Sequence, residues 1–234
     1  MARVFITGSA DGLGRLAAQA LVDDGHEVVL HVRNDGRLDA VGDLVDRGAD
    51  VAVGDLADLD QTRSVARDVN RLGRMDAVIH NAGVLGGPDV WPVNVVAPYL
   101  LTALVEQPQR LIYLSSGMHR GGRPDLAARS YSDSKLFVTT LAFAVARLWP
   151  DVFSNAVDPG WVPTRMGGRG APDDLRLGHL TQEWLATSDD PDARTSGGYW
   201  YHQQRVEPHP AVRDARFQDG LLAALAEVTG QGLD

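Results

Sequence analysis

Residues 3–21 constrain the fold more than any other stretch of the chain. Arg3-Val4-Phe5-Ile6 is a short apolar run that feeds straight into Thr7-Gly8-Ser9-Ala10-Asp11-Gly12-Leu13-Gly14. A stretch of helical period follows, with Leu13, Leu16, Ala17, Ala20 and Leu21 on one side. Glycines between a strand and a helix remove the side chains that would keep a phosphate from the backbone, and the helix start offers free N–H groups. This is the local structure a pyrophosphate site needs.

The same alternation continues along the chain. Apolar runs at 3–6, 27–32, 50–53, 75–80, 110–114 and 152–157 are separated by stretches of helical period. Such a pattern implies an α/β fold, a doubly wound parallel sheet with right-handed crossovers, helices on both faces and a ligand at the carboxyl ends of the strands. The last third is less regular, with a helix expected around Leu180 to Ala186, a short strand at Gly198 to Tyr201 and a closing helix from about Val212 to Val228. At 234 residues with no Pro/Gly/Ser-rich linker, a single domain over 1–234 is expected. The chain has no cysteine, hence no disulfide or thiolate metal site, and its formal charge of -9 argues against a nucleic-acid surface. No charged-then-apolar leader precedes the first strand and no apolar run approaches the ~20 residues of a membrane helix, so a soluble, cytoplasmic protein is expected.

Tyr131 and Lys135 stand four residues apart at the start of an apolar helical stretch, which puts both on one helix face. An ammonium near a phenol favours the phenolate, so the spacing predicts a lowered tyrosine pKa and a usable proton donor and acceptor. Leu136, Phe137, Thr140, Leu141 and Ala144 on that helix suit either core or a subunit interface.

The glycine loop with Tyr131/Lys135 resembles the T-G-x-x-x-G-x-G and Y-x-x-x-K fingerprint of the short-chain dehydrogenase/reductases, and the resemblance covers nearly the whole chain. Further pieces fall in the family's order: Asp55-Leu56, Asn81-Ala82-Gly83, Asn94, Ser115-Ser116 and Pro159-Gly160. The resemblance implies a Rossmann fold and reversible hydride transfer between a nicotinamide C4 and a small-molecule carbonyl or alcohol. It implies catalytic roles for Asn94, Ser116, Tyr131 and Lys135, with Tyr131 as acid/base and Lys135 also on the nicotinamide ribose. Thr7, Gly8, Gly12, Leu13, Gly14, Asn81, Ala82 and Gly83 would meet the cofactor; Pro159, Gly160, Val162 and Thr164 would lie under the nicotinamide.

Where an NAD enzyme of this family would hold a carboxylate against the ribose, the second strand ends in Val32-Arg33. An arginine there suits a 2′-phosphate, so NADP(H) is expected over NAD(H); a merely solvated arginine is the other reading, and Asp11 does not help a phosphate. Asp55 would by resemblance accept from the adenine amine, or else cap the helix starting near Asp58. Pro98, four residues after Asn94, lacks the N–H that Asn94's carbonyl would use if the helix already includes it, leaving that carbonyl for a water; by resemblance this water relays protons. The other reading makes Asn94 an N-cap. His119 reads as a solvated or substrate-adjacent loop residue.

Only ten residues separate Gly83 from Asn94, which shortens a wall that often carries subunit contacts. A homodimer is therefore the candidate assembly, and the standard tetramer is in doubt. The basic segment Gly117–Arg123, with Trp184-Leu185-Ala186 and Gly197-Gly198-Tyr199-Trp200, is similar to the retinol-dehydrogenase-like branch. Residues 165–210 are expected to form a substrate loop or lid region. A nucleotide-sugar epimerase or dehydratase would need a larger C-terminal domain than the fewer than 75 residues after Gly160 provide. A non-catalytic NADP-binding regulator on the same fold would not need the whole Asn/Ser/Tyr/Lys set, and a flavin or phosphate module would leave Tyr131 unexplained.

Overall fold

The computed structural model describes residues 1–233. Eight strands, β1 (Arg3–Ile6), β2 (Glu27–Val32), β3 (Asp50–Val53), β4 (Ala77–His80), β5 (Arg110–Leu114), β6 (Phe153–Asp158), β7 (Gly198–Tyr201) and β8 (Gln204–Arg205), form one sheet. Their order is β3-β2-β1-β4-β5-β6-β7-β8, parallel except for β8, which returns antiparallel on β7. Strand order reverses between β1 and β4, where a doubly wound sheet opens a crevice at its carboxyl edge.

The sheet is covered on both faces. On one lie α3 (Leu59–Arg71), α4 (Ala97–Leu104), α5 (Tyr131–Leu148) and α7 (Ala215–Thr229), around Phe5, Val78, Tyr113, Phe137 and Tyr199. On the other, α1 (Gly12–Asp23), the short α2 (Gly42–Val45) and α6 (Leu175–Thr187) enclose Val4, Ile6, Ile79, Val157 and Trp200. Consecutive β1 residues thus feed opposite cores, as a strand's period of two requires. Full burial on both faces explains why β4 and β5, buried at every position, read as unbroken apolar runs.

Several boundaries differ from the sequence reading. The fourth strand starts at Ala77 rather than 75, and the sixth runs 153–158. The closing helix starts at Ala215 because Val212 lies in a 3₁₀ turn, Pro210–Arg213, and Asp214 caps the helix by accepting from the Arg216 N–H. In α1 the buried residues are Gly14, Ala17, Ala18 and Leu21; Leu13, Leu16 and Ala20 are half-buried. On α5 all five positions read as core or interface are buried by the chain itself, and so belong to the core. Helix α7 packs there, with Arg147 bonded to Gln218 (2.8 Å) and Asp219, and the Arg213 guanidinium 5.5 Å from the Phe143 ring. Within 165–210, α6 and β7 are parts of the main fold. Trp184 meets Trp200 edge-on at 5.1 Å, so residues that suggested a branch of the family serve packing. Among the described residues no helix is long and apolar enough to cross a membrane.

Candidate active site

At the crevice, the glycine loop is tied down from three sides. The Asn81 amide donates to the carbonyls of Thr7 (2.9 Å) and Gly8 (3.1 Å), and the Ala82 N–H donates to the Thr7 hydroxyl (3.0 Å). His31, buried on β2, accepts from the Gly8 N–H at its Nδ1 (3.0 Å), so its Nε2 carries the proton and donates to the Gly54 carbonyl (2.8 Å). Burial pulls the His31 pKa down, which preserves that neutral tautomer.

Two glycines are required here for different reasons. At Gly8 (φ +68°) a Cβ would sit 2.9 Å from the Ala82 backbone, and at Gly14 one would sit 2.3 Å from the Asn81 amide nitrogen. Gly12 (φ +56°) has no neighbour closer than 3.9 Å and lines the crevice, so its missing side chain leaves room for a ligand. Asp11, at the N-cap of α1, makes no side-chain cap bond; it pairs instead with Arg37 at 2.8 Å. The first-turn N–H groups are left for a ligand.

The cleft spans about 680 Å³. Of the expected site residues it brings together Gly8, Gly12, Leu13, Arg33, Asp55, Leu56, Asn81, Ala82, Gly83, Tyr131, Lys135, Pro159 and Thr164. Thr7, Gly14, Asn94, Ser116, Gly160 and Val162 are not part of this lining. Asp55 does not cap α3: Asp58 does, accepting from Asp60 and Gln61, while Asp55 accepts from the Ala57 N–H at 2.9 Å. Val162 is buried against Gly178, and the Thr164 hydroxyl accepts from the Gly167 N–H at 3.2 Å. Sequence reasoning missed the cleft positions of His31 and Arg37, the first in a buried strand that reads as plain core and the second in a short 3₁₀ helix, Asp35–Val41, with no periodicity to place it, while Met166 falls in the expected substrate loop.

Helix α5 begins with a capping box. The Ser130 hydroxyl accepts from the Asp133 N–H (3.1 Å), and the Asp133 carboxylate accepts from the Ser130 N–H (2.8 Å). The box seats Tyr131 in the first turn, half-buried, and Lys135 one turn on, 5% exposed. Lys135 Nζ donates to the Leu114 carbonyl at 2.8 Å and lies 5.6 Å from the Tyr131 ring centroid. Burial pulls Lys135 down to about 8, with the Asp158 charge working the other way.

The expected lowering of the Tyr131 pKa does not occur. Burial raises it, and the Asp158 charge adds to the rise, against a hydrogen bond from Ser116 that favours the phenolate. Ser115 lines the cleft, but its hydroxyl is engaged with Thr139 at 2.6 Å. His119, read as a solvated or substrate-adjacent loop residue, is not solvated but wholly buried: its Nδ1 donates to the Ser116 carbonyl (2.7 Å), and its Nε2 accepts from the His209 N–H (3.0 Å).

Asn94 is no N-cap. It lies inside a widened π-helical turn, Pro92–Val96, that runs into α4. Its side chain grips Val84 twice, accepting from the N–H (2.8 Å) and donating to the carbonyl (2.9 Å), and reaches Ser134 Oγ at 3.0 Å. Ser134 in turn donates to the Tyr131 carbonyl at 2.7 Å. Asn94 thus braces the loop after β4 to the helix that carries Tyr131 and Lys135.

Comparisons with known proteins agree with this architecture. A family model described as short chain dehydrogenase matches residues 2–174. An oxidoreductase of Emericella nidulans is 37% identical over 252 residues, covering 100% of this chain and 99% of its own. A short-chain dehydrogenase of Penicillium rubens is 37% identical over 254 residues, covering 98% of each chain. Among solved structures, a blue fluorescent protein from a metagenomic library, in complex with NADPH, superposes with a TM-score of 0.73 at 21% identity, over 86% of this chain and 95% of that one. The chain belongs to the short-chain dehydrogenase/reductase family of oxidoreductases.

Proposed function

We propose that this enzyme is an NADP(H)-dependent oxidoreductase that interconverts a small-molecule carbonyl compound and its alcohol, with Tyr131 as the proton donor and acceptor. The observation that carries the reading is the Tyr131/Lys135 pair at one end of a cleft whose other end is built of bare glycine backbone and uncapped helix N–H groups. When bound, the nicotinamide supplies or accepts the hydride.

The chain's own groups handle binding and the proton. Gly8, Gly12, Leu13 and the start of α1 suit the pyrophosphate; Asp55 and Leu56 border the adenine side. Arg33 is exposed at the cleft and follows a buried Val32, so no carboxylate ends β2 to receive ribose hydroxyls. The Arg37 pair neutralises Asp11, the acidic residue that would oppose a 2′-phosphate. Both features favour NADP(H), the cofactor form in the solved metagenomic protein.

In reduction the Tyr131 phenol gives its proton to the carbonyl oxygen while the Ser116 hydroxyl orients that oxygen. In oxidation the same proton returns. Lys135 holds positive charge beside the phenol and suits the nicotinamide ribose. Pro98 supplies no i+4 N–H to the Asn94 carbonyl, the place at which a relay water would bind. The whole chain acts as one domain, with Arg165 and Met166 of the irregular segment 161–174 on the substrate side.

An epimerase-like reading is not favoured, because the residues after Gly160 complete this same sheet rather than a second domain. The test is an NADPH-consumption screen over aldehydes, ketones and quinones, repeated with Tyr131→Phe. Turnover is expected to fall by at least ~10²-fold with NADPH affinity retained; an unchanged rate would remove Tyr131 from the chemistry.

A further inference from the structure

Asp158, the last residue of β6, has no role in the reading above. The Ser115 N–H donates to the Val157 carbonyl at 2.7 Å, so the next residue, Asp158, emerges beside Ser115 and Ser116. One carboxylate oxygen accepts from the Gly160 N–H at 3.0 Å. The other lies 3.1 Å from where a Cβ on Gly117 would stand, so glycine directly after Ser116 is what lets the carboxylate in. Among the described residues no ion pair includes Asp158.

A half-buried carboxylate with no cationic partner acts on whatever ionises around it. Leu114 pairs with Val157, so Asp158 stands one residue beyond the strand position whose partner carbonyl Lys135 Nζ holds at 2.8 Å. Its charge reaches Tyr131 and Lys135 on α5, His119 in the turn after Ser116, and Tyr201 and Tyr199 on β7, the last of which also hydrogen-bonds to it. The remaining charged or titratable groups at this corner are Arg120, 5.9 Å from the Tyr199 ring, His209 beside His119, and Asp173 near Tyr201. Arg120 is exposed and screened by solvent, so it does not cancel the carboxylate.

We propose that Asp158 is a positioning residue for proton transfer, its carboxylate set beside Ser116 and the Leu114 carbonyl that Lys135 holds so that it biases the Tyr131/Lys135 pair toward its protonated forms. The inference rests on Tyr131 being the proton carrier. A negative neighbour makes the phenolate costlier and the ammonium cheaper, so the ligand-free site is set as a proton donor and favours carbonyl reduction over a wide pH range. Alcohol oxidation, which needs the phenolate, is pushed to higher pH.

Asp158→Asn tests this, since its amide oxygen can still accept from the Gly160 N–H. In ligand-free protein with ¹³C-labelled lysine, the Lys135 titration is expected to move down from about 8 by about one pH unit. For the alcohol found by the screen above, the acid limb of kcat/KM for oxidation should shift to lower pH as well. A Lys135 titration or an oxidation limb within about 0.2 unit of wild type would overturn the proposal. Asp158→Ser supplies the same charge removal should the asparagine variant fold poorly. The lysine titration needs no turnover, so a Tyr131→Phe enzyme that stays active would defeat the catalytic reading without moving this result.

Discussion

Arg33 lines the cleft just past the end of β2. It is exposed, with its neighbour Arg37 already committed to Asp11. A charge-assisted hydrogen bond to a phosphate is worth roughly 1.5–3 kcal/mol, so Arg33→Ala should weaken NADPH about 10- to 100-fold and leave NADH nearly unchanged. Calorimetric titration of both cofactors checks this, and equal losses would place the arginine elsewhere than on the 2′-phosphate. The identity of such residues was readable in the sequence because each sits at a fixed offset from a strand end or a helix start. Their ionisation was not. The direction of the Tyr131 shift depends on how deeply the ring is buried and on Asp158, which is distant in sequence, and spacing along one helix contains neither. His119 misled for the same reason: only the fold brings the Tyr199 ring to 4.4 Å from it.

Helix α5 shows how one element's first turn decides the geometry of the chemistry. Asp133 is buried and accepts from Ser130 and from the Arg123 N–H (2.8 Å), so it closes the capping box and pins the preceding loop together. Asp133→Ala is expected to cost about 2 kcal/mol in urea unfolding and to lower kcat more than it raises cofactor Kd, since Tyr131 rides on that turn. Elements with strong apolar runs, β1 through β7, were legible within a residue or two. The hairpin strand β8 was not, because Gln204 and Arg205 are exposed and carry no pattern; its turn depends on His202 and Gln203 at positive φ. The π-helical turn at Asn94 was equally silent, since it arises where Pro92 and Pro98 disrupt the ordinary helical ladder.

Across the whole molecule, the C-terminal segment closes the surface of α4 and α5. Tyr99 on α4 donates to the Gln231 carbonyl at 2.7 Å, and Arg63 on α3 donates to the Thr229 carbonyl at 2.8 Å. Because α7 packs on α5, Leu136, Phe137, Leu141 and Ala144 of that helix are buried within the chain itself. Light scattering is expected to give a monomer mass, or a dimer unaffected by charge substitutions along α5. A chain ending at Pro208 should bind a hydrophobic dye strongly and lose its cooperative melt, because Phe137, Leu141 and Phe143 would lose their cover. One bond gives this arrangement a direction in time. Synthesis runs from the N-terminal side, so Ser116, Tyr131 and Lys135 leave the ribosome before His209, whose N–H fixes the ring that holds the Ser116 carbonyl. A nascent chain stopped short of His209 therefore carries every reactive side chain and still lacks the brace that aims one of them, so activity is expected to wait for His209 rather than for the site itself.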